Sequence, residues 1–139
     1  MKGKGRFQLI TGLLALGLLL VFGSVPAGAA DPYTIGFVNH LTGDMGPYGQ
    51  SLKKGVELAV DQINAGGGIQ GHPLKVIFED DRGQAADAIT AFTKLAEVDK
   101  VPVVLGSASS TVTLAICAKA QESKVVLISS VSTAPILKE

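Results

Sequence analysis

Residues 33–80 read YTIGFVNHLTGDMGPYGQSLKKGVELAVDQINAGGGIQGHPLKVIFED, and this stretch decides the fold. It opens with Tyr33–Asn39, a short apolar run rich in β-branched residues that is typical of a buried strand. Apolar residues then recur at spacings of four and three, as on one side of a helix, at Leu52, Val56, Ala59, Val60 and Ile63. A second apolar run, Leu74–Asp80, follows. Strand, helix and strand at such short spacing predict a right-handed crossover between two parallel strands.

The same alternation continues to the end of the chain. A second helical stripe runs from Ala85 to near Asp99, and apolar runs at 101–105 and 125–129 predict two more strands on either side of a helix at about 112–120. The strands are nearly uniformly apolar, as a sheet covered on both sides requires. We therefore predict one α/β unit over residues 31–139. It is an open parallel sheet with helices on both faces, in the order β-α-β-α-β-α-β.

Residues 1–30 differ from the rest of the chain. Met1–Arg6 is basic, residues 9–22 (LITGLLALGLLLVF) carry no charge, and small residues lead up to Ala30. This is the pattern of a secretory signal peptide, with cleavage after Ala29 or Ala30. The apolar core is shorter than the roughly 18–20 residues that a membrane span needs. We predict export to the periplasm.

Composition limits the classes of function. With 47% apolar residues, the 139-residue chain is not a disordered tail. Basic and acidic residues balance at twelve each, and three of the basic ones lie in residues 1–30, so the remainder is mildly acidic. Such a charge gives no support to nucleic-acid binding. Cys117 is the only cysteine, which rules out an intrachain disulfide and suggests a small buried apolar residue.

Motifs for catalysis or cofactors are weak. Residues 66–71 (GGGIQG) match G-x-G-x-x-G, but they follow a helix and precede a strand, the reverse of a dinucleotide site. Asp80 and Asp81 are either metal ligands, an acid–base pair or loop-forming residues that bind nearby backbone N–H groups, and we favour the last. His40 and His72 lie in no ligand-spaced cluster, and no serine has the G-x-S-x-G frame. The sequence therefore predicts no enzyme, metal or cofactor.

The most informative stretch is residues 106–111, GSASST, which leaves the third strand and enters the third helix. Unpaired backbone N–H groups at a helix start favour an anion such as a carboxylate. Ser109, Ser110 and Thr111 would add hydroxyl donors or cap the helix, and capping alone is the competing interpretation. Open α/β sheets bind ligands outside the carboxyl ends of their strands, so we expect a binding site here.

Two further segments are expected at the same edge of the sheet. Tyr48 follows the first strand, and residues 129–135 (SSVSTAP) follow the fourth. An aromatic ring with a polar tip, a helix start and a second hydroxyl-rich loop then share one crevice. These groups suit a small zwitterion or an amide and include no general base. The sequence favours binding over catalysis.

With these features in view, the chain resembles type I periplasmic substrate-binding proteins of ABC transporters, in the branched-chain amino-acid group of leucine/isoleucine/valine-binding proteins. The resemblance rests on residues 35–81, on GSASSTVTLAICAKA at 106–120 and on VVLISSVSTAPIL at 125–137. The most specific signatures are INAGGGIQGHPL at 63–74 and STAP at 132–135.

The resemblance implies roles for individual residues. Ser110 is similar to the serine that binds the ligand carboxylate through its hydroxyl and N–H, and Thr133 to the threonine that shares in holding the head group. Val131 stands where the backbone carbonyl accepts the ammonium, a position at which the family often has Ala. Tyr48 resembles the first-loop tyrosine that lines the pocket. Further donors would come from the two neighbours of Ser110, namely Ser109 and Thr111.

The resemblance also implies a domain organisation and a function. Family members have two lobes and are roughly two to three times as long as residues 31–139, which would be an incomplete N-terminal lobe without the second. The implied function is an extracytoplasmic receptor that binds an amino acid, in particular a branched-chain one, and delivers it to an ABC transporter permease. Contact with the membrane would be only through that permease. The alternatives are an amide or urea binder and a ligand-sensing regulator built on the same lobes.

Overall fold

The computed structural model describes residues 30–138, which contain one four-stranded sheet. The strands are β1 (Tyr33–Asn39), β2 (Leu74–Asp80), β3 (Val103–Leu105) and β4 (Val126–Ile128). Every pairing is parallel, and the order across the sheet is β2-β1-β3-β4. β1 and β2 pair along their whole length, from Tyr33 opposite Leu74 to Asn39 opposite Asp80. The predicted parallel α/β sheet is confirmed.

Three helices connect the strands, α1 (Gly46–Ala65), α2 (Ala85–Thr93) and α3 (Ser110–Ser123). A π-helical turn, Lys94–Val98, prolongs α2 almost to the predicted end at Asp99. A 3-10 turn covers Pro135–Lys138. β3 is two residues shorter than predicted at its start, because Pro102 has no N–H to donate to a neighbouring strand.

One side of the sheet, the packed face, carries α2, its π-helical turn and α3. Its largest side chains, Phe92, Leu95 and Ile116, are fully buried against Val38 and Val104 of the sheet. Burying each of these three side chains contributes about 1.5–3 kcal/mol to the stability of the fold. The core of the described chain therefore lies on this side.

The other side, the open face, carries only α1. Strand residues alternate in direction, so Phe37 and Leu105 point towards this helix while their neighbours join the core. Within α1 only Gly46 and Gly49 are buried, and the apolar stripe is half-buried or exposed. A cleft of about 310 Å³ lies between α1 and the sheet. Helices lie on both faces as predicted, but on the open face α1 covers β3 and β4 only in part.

Candidate functional site

Four loops meet at the carboxyl edge of the sheet, because all four strands run in the same direction. They are residues 40–45 after β1, 81–84 after β2, 106–109 after β3 and 129–134 after β4. Gly49 at the start of α1 allows this helix to lie directly on the first loop, since a Cβ there would be 1.8 Å from the His40 carbonyl oxygen. The residues proposed for ligand binding, apart from Tyr48, lie in the last two loops or at the start of α3.

Ser110 and Thr133 are in direct contact. Ser110 is the first residue of α3, and its Oγ accepts the backbone N–H groups of Thr133 at 3.1 Å and Ala134 at 3.2 Å. Because two donors occupy the lone pairs of this oxygen, its own O–H remains to be donated outward. The first N–H groups of α3 have no partner inside the helix, and they carry the positive end of its dipole. The arrangement offers several donors to one anionic group.

Ser109 precedes α3 in an extended conformation, and its carbonyl accepts the Thr113 N–H at 2.9 Å. Its hydroxyl makes no capping hydrogen bond, so the competing interpretation of capping does not hold for this serine. The Thr113 hydroxyl instead accepts the Ser107 N–H at 3.1 Å and holds the loop from inside the first turn. Thr111 is exposed on that turn. The hydroxyls of Ser109 and Thr111 therefore make no capping hydrogen bond.

The remaining two predicted residues lie on the side of α1. Val131 is half-buried and lines the 310 Å³ cleft with Leu52 and Val56 of α1. Tyr48 lies in the first turn of α1 rather than in the loop before it, and 44% of it is exposed. Its hydroxyl makes no hydrogen bond to any group within residues 30–138. The structure thus joins Ser110 to Thr133 directly and leaves Tyr48 unlinked to them.

Sequence reasoning missed a buried polar cluster under these loops. The Asp81 carboxylate is fully buried and accepts hydrogen bonds from His40 Nδ1, from the Gly83 N–H at 2.9 Å and from the Ser107 hydroxyl at 2.8 Å. Asn39, which is 3% exposed, accepts the Ala108 N–H at 3.2 Å. Asp81 therefore touches the loop that leads to Ser110. Two of the three partners of Asp81, His40 and Ser107, are 41 and 26 residues away in sequence, so no local motif reveals these contacts.

Asp80 behaves as the loop-forming residue that the sequence predicts. Its carboxylate accepts the N–H groups of Leu41 and Arg82, each at 2.9 Å, and the Thr42 hydroxyl at 2.5 Å. Partial burial acts to raise the pKa of Asp80, but these hydrogen bonds outweigh it and hold the pKa below the ordinary value of 3.8. The carboxylate binds the loop after β1 to the loop after β2.

In residues 30–138, no group of three or more His, Cys, Asp or Glu side chains is placed to hold a metal ion. Nor does any helix in this range combine the length and apolar character that crossing a membrane requires. The predicted signal segment lies outside the described residues.

The parallel sheet carries a helix start and a hydroxyl-bearing loop together at its carboxyl edge. This is the arrangement of a ligand-binding α/β lobe. A family model described as periplasmic binding protein matches residues 32–138. The chain belongs to this family.

Individual relatives indicate which group within this family the chain is similar to. The Leu/Ile/Val-binding protein BraC3 of Rhizobium johnstonii is 34% identical over 112 residues, covering 81% of this chain and 30% of the relative. An amino acid binding protein of Pseudomonas aeruginosa is 30% identical over 128 residues, covering 92% and 34%. The crystal structure of LivJ from Streptococcus pneumoniae, a branched-chain amino-acid transporter substrate-binding protein in complex with isoleucine, superposes with a TM-score of 0.73. It is 38% identical and covers 76% of this chain and 30% of LivJ.

These relatives confirm the resemblance to the branched-chain amino-acid group of type I periplasmic binding proteins and the fold class that it implies. The match is with the N-terminal part of such proteins. The chain spans about a third of the length of the curated relatives that it matches.

Proposed function

We propose that residues 31–139 form an N-terminal lobe segment of a solute receptor that binds an amino acid and passes it to an ABC transporter permease. The observation that carries the proposal is the contact between Ser110 and the loop after β4. Two backbone N–H groups fix the Ser110 oxygen at the first residue of α3, so its hydroxyl proton is left to donate beside the unpaired N–H groups of this helix start. A carboxylate at that position accepts hydrogen bonds from both sources.

The other end of a zwitterion has an acceptor nearby. Val131 lies two residues before Thr133, and its carbonyl is the group that we assign to the ligand ammonium. Donors for the carboxylate and an acceptor for the ammonium thus lie on adjoining loops. The names of the relatives agree with this ligand class, since they include Leu/Ile/Val-binding proteins and a complex with isoleucine.

The same geometry favours binding without chemistry. A serine nucleophile needs a general base to accept its proton. Within residues 30–138 the partners of the Ser110 oxygen are backbone donors, and the Nδ1 atom of His40, the histidine in the loops at this edge, is hydrogen-bonded to Asp81. We therefore propose a receptor and not an enzyme, without a metal or cofactor of its own.

Export follows from residues 1–30. We propose that cleavage after Ala29 or Ala30 releases a periplasmic protein whose contact with the membrane is through its permease. Edman sequencing of periplasmic material tests this step directly. A mature N-terminus near Asp31 is expected, and an intact Met1 on a membrane-embedded protein would contradict it.

Titration calorimetry tests the ligand. The protein expressed from its complete gene is titrated with leucine, isoleucine, valine, other natural amino acids, small amides and urea. Saturable binding of an amino acid is expected. Binding confined to an amide or urea would move the ligand class to the first alternative, and no binding of any compound would overturn the proposal. Permease and ATPase genes beside the receptor gene favour transport over a sensing regulator.

A further inference from the structure

Ser107 is a fully buried residue that connects three segments at the carboxyl edge. Its hydroxyl donates to Asp81 at 2.8 Å, in the loop after β2. Its carbonyl accepts the hydroxyl of Ser129, in the loop after β4, at 2.9 Å. The same oxygen lies 3.1 Å from the hydroxyls of Ser132, also in that loop, and of Thr113 in α3. These two hydroxyls are 2.7 Å apart, so one of them donates to the carbonyl and the other donates to its neighbour. One residue therefore binds the loop after β2, the loop after β4 and the helix that begins at Ser110.

Asp81 gives this residue a fixed anchor. A buried carboxylate is tolerated only when donors surround it, and here they come from the loops after three different strands, at His40, Gly83 and Ser107. Because a carboxylate only accepts, His40 Nδ1 carries the proton in this contact. Removing any one donor leaves part of the charge unpaired in the interior, so the three segments hold each other in place.

The backbone beside Ser107 has little freedom. Gly106 has a φ of +140°, and a Cβ at this position would lie 1.9 Å from the Val38 carbonyl oxygen. The Gly106 N–H also donates to the Ile128 carbonyl at 2.9 Å. The chain thus leaves β3 in close contact with β1. These contacts of Gly106 fix the position of the next residue, Ser107, ahead of the turn towards Ser110.

From these contacts we infer that Ser107, anchored on Asp81, is a positioning residue for the ligand site. Being fully buried, it does not touch the ligand. It holds α3 and the loop after β4 through separate hydrogen bonds, and so sets the place of Ser110 relative to Thr133. The link to amino-acid affinity rests on the proposed function, whereas the link to loop geometry does not.

Asp80 provides a matched control for Asp81. The two adjacent carboxylates both accept backbone N–H groups, but Asp80 binds only the loops after β1 and β2. Within residues 30–138 it makes no hydrogen bond to the loops after β3 or β4. Asp80→Asn and Asp81→Asn therefore remove the same charge next to each other in the chain, and only the second disturbs Ser107.

Amide hydrogen exchange in the ligand-free protein, expressed from its complete gene, tests the inference. In Ser107→Ala and in Asp81→Asn, exchange at Ala108, Thr133 and Ala134 is expected to accelerate roughly tenfold to a hundredfold, the range for loss of a hydrogen bond to a charged group. Asp80→Asn is expected to leave these three amides unchanged. Unchanged exchange in both test variants, or equal acceleration in the control, would overturn the inference.

A milder variant keeps the test decisive if Ser107→Ala does not fold. Ser129 and Ser132 are half-buried, and their hydroxyls lie 2.9 Å and 3.1 Å from the Ser107 carbonyl, in the loop after β4. The double variant Ser129→Ala with Ser132→Ala is expected to accelerate exchange at Thr133 and Ala134 but not at Ala108, because it removes both hydroxyls that join this loop to Ser107. Exchange at Thr133 and Ala134 equal to that of the parent would count against Ser107 as the connecting residue.

Ligand affinity gives a second readout that general destabilisation does not reproduce. In titrations with the amino acid that the parent binds, Ser107→Ala and Asp81→Asn should each raise Kd about tenfold or more, and the double variant no more than the stronger single. Fully additive losses would contradict a single connected unit. A parent that binds no amino acid would refute the proposed function alone, and the exchange measurements would still decide the positioning role.

Discussion

The two faces of the sheet differ in how completely their apolar side chains are covered. On the packed face, Phe92, Leu95 and Ile116 are completely buried and form a continuous core with Val104. On the open face, α1 leaves a cleft of about 310 Å³ above the sheet, and Ile128 at the edge strand is 50% exposed. Both faces carry apolar strand residues, so the difference lies in what covers them.

The contrast separates residues that hold this segment together from residues that remain available for other contacts. Burial contributes stability in proportion to the apolar area removed from water, so the packed face supplies most of it here. The carboxyl edge, where Ser110 and Thr133 meet, is polar and gains its order from hydrogen bonds. Mutations in the three regions should therefore produce distinct losses.

The largest expected effect tests the packed face against the open face. Phe92→Ala should lower the free energy of unfolding by about 3–5 kcal/mol, because a fully buried ring leaves a cavity in the core. Leu52→Ala on α1, which is only half-buried, should cost about 1 kcal/mol. Urea unfolding of both variants, expressed from the complete gene, measures the contrast. Equal losses would mean that the two faces are packed alike in the whole protein.

The next effect concerns the carboxyl edge and appears in binding rather than in stability. Ser110→Ala should weaken amino-acid binding by about 1.5–3 kcal/mol, since a buried carboxylate loses a hydroxyl donor. Thr133→Val should act similarly at nearly unchanged volume. Calorimetry measures both, with Cys117→Ala as the control, because this thiol lies on α3 beyond its first turns. An affinity equal to the parent's in Ser110→Ala would show that the site is misassigned.

A smaller effect concerns β4, the edge strand whose side chains on the open face are exposed. Residues 31–139 produced alone should be poorly soluble, because β4 presents an unpaired edge within the described chain and its first residue, Val126, is 55% exposed. Val126→Lys should reduce aggregation while changing the free energy of unfolding by no more than about 0.5 kcal/mol. Light scattering against concentration measures it. A soluble monomer of the parent segment with a sharp cooperative melt would contradict the prediction.

The smallest expected effect is the pH response of the loops. Because hydrogen bonds hold the pKa of Asp80 below 3.8, its charged form stabilises the fold above that pH, and the contribution is lost as the pH falls through the lowered pKa. Asp80→Asn should therefore flatten the acid side of the stability profile, by less than about 1 kcal/mol for so exposed a group. Melting temperatures at neutral and acid pH compare the two proteins. Parallel profiles would argue against the lowered pKa.

Much of the fold could be predicted because its signals are local. The bounds of β1 and β2 agree with the apolar runs 33–39 and 74–80, each followed by polar or turn-forming residues. α1 begins at Gly46, ahead of the predicted apolar stripe that opens at Leu52, because Pro47 is favourable in the first turn of a helix. Local patterns do not report how completely a helix covers a sheet, so the cleft beneath α1 was not foreseen.

The candidate site was predictable only in part, for the same reason. Strand order and the rule on carboxyl ends place Ser110 and residues 129–135 at one edge, and the structure brings Ser110 and Thr133 into contact. The cluster of His40, Asp81 and Ser107 depends on contacts between distant loops, and each residue alone has an ordinary explanation. The ligand roles themselves stay predictions until binding is measured.

The position of β1 has a consequence for anything joined to the chain ahead of it. β1 lies inside the sheet and begins at Tyr33, at the amino edge, where His72 also donates from Nδ1 to the Asp31 carbonyl at 2.8 Å. Seven residues of extended strand separate this point from the loops at the other edge, a distance of about 20 Å. A tag or surface tether that replaces residues 1–30 would be attached at the amino edge, opposite Ser110, so immobilisation through it should leave the binding edge free for surface-based measurements.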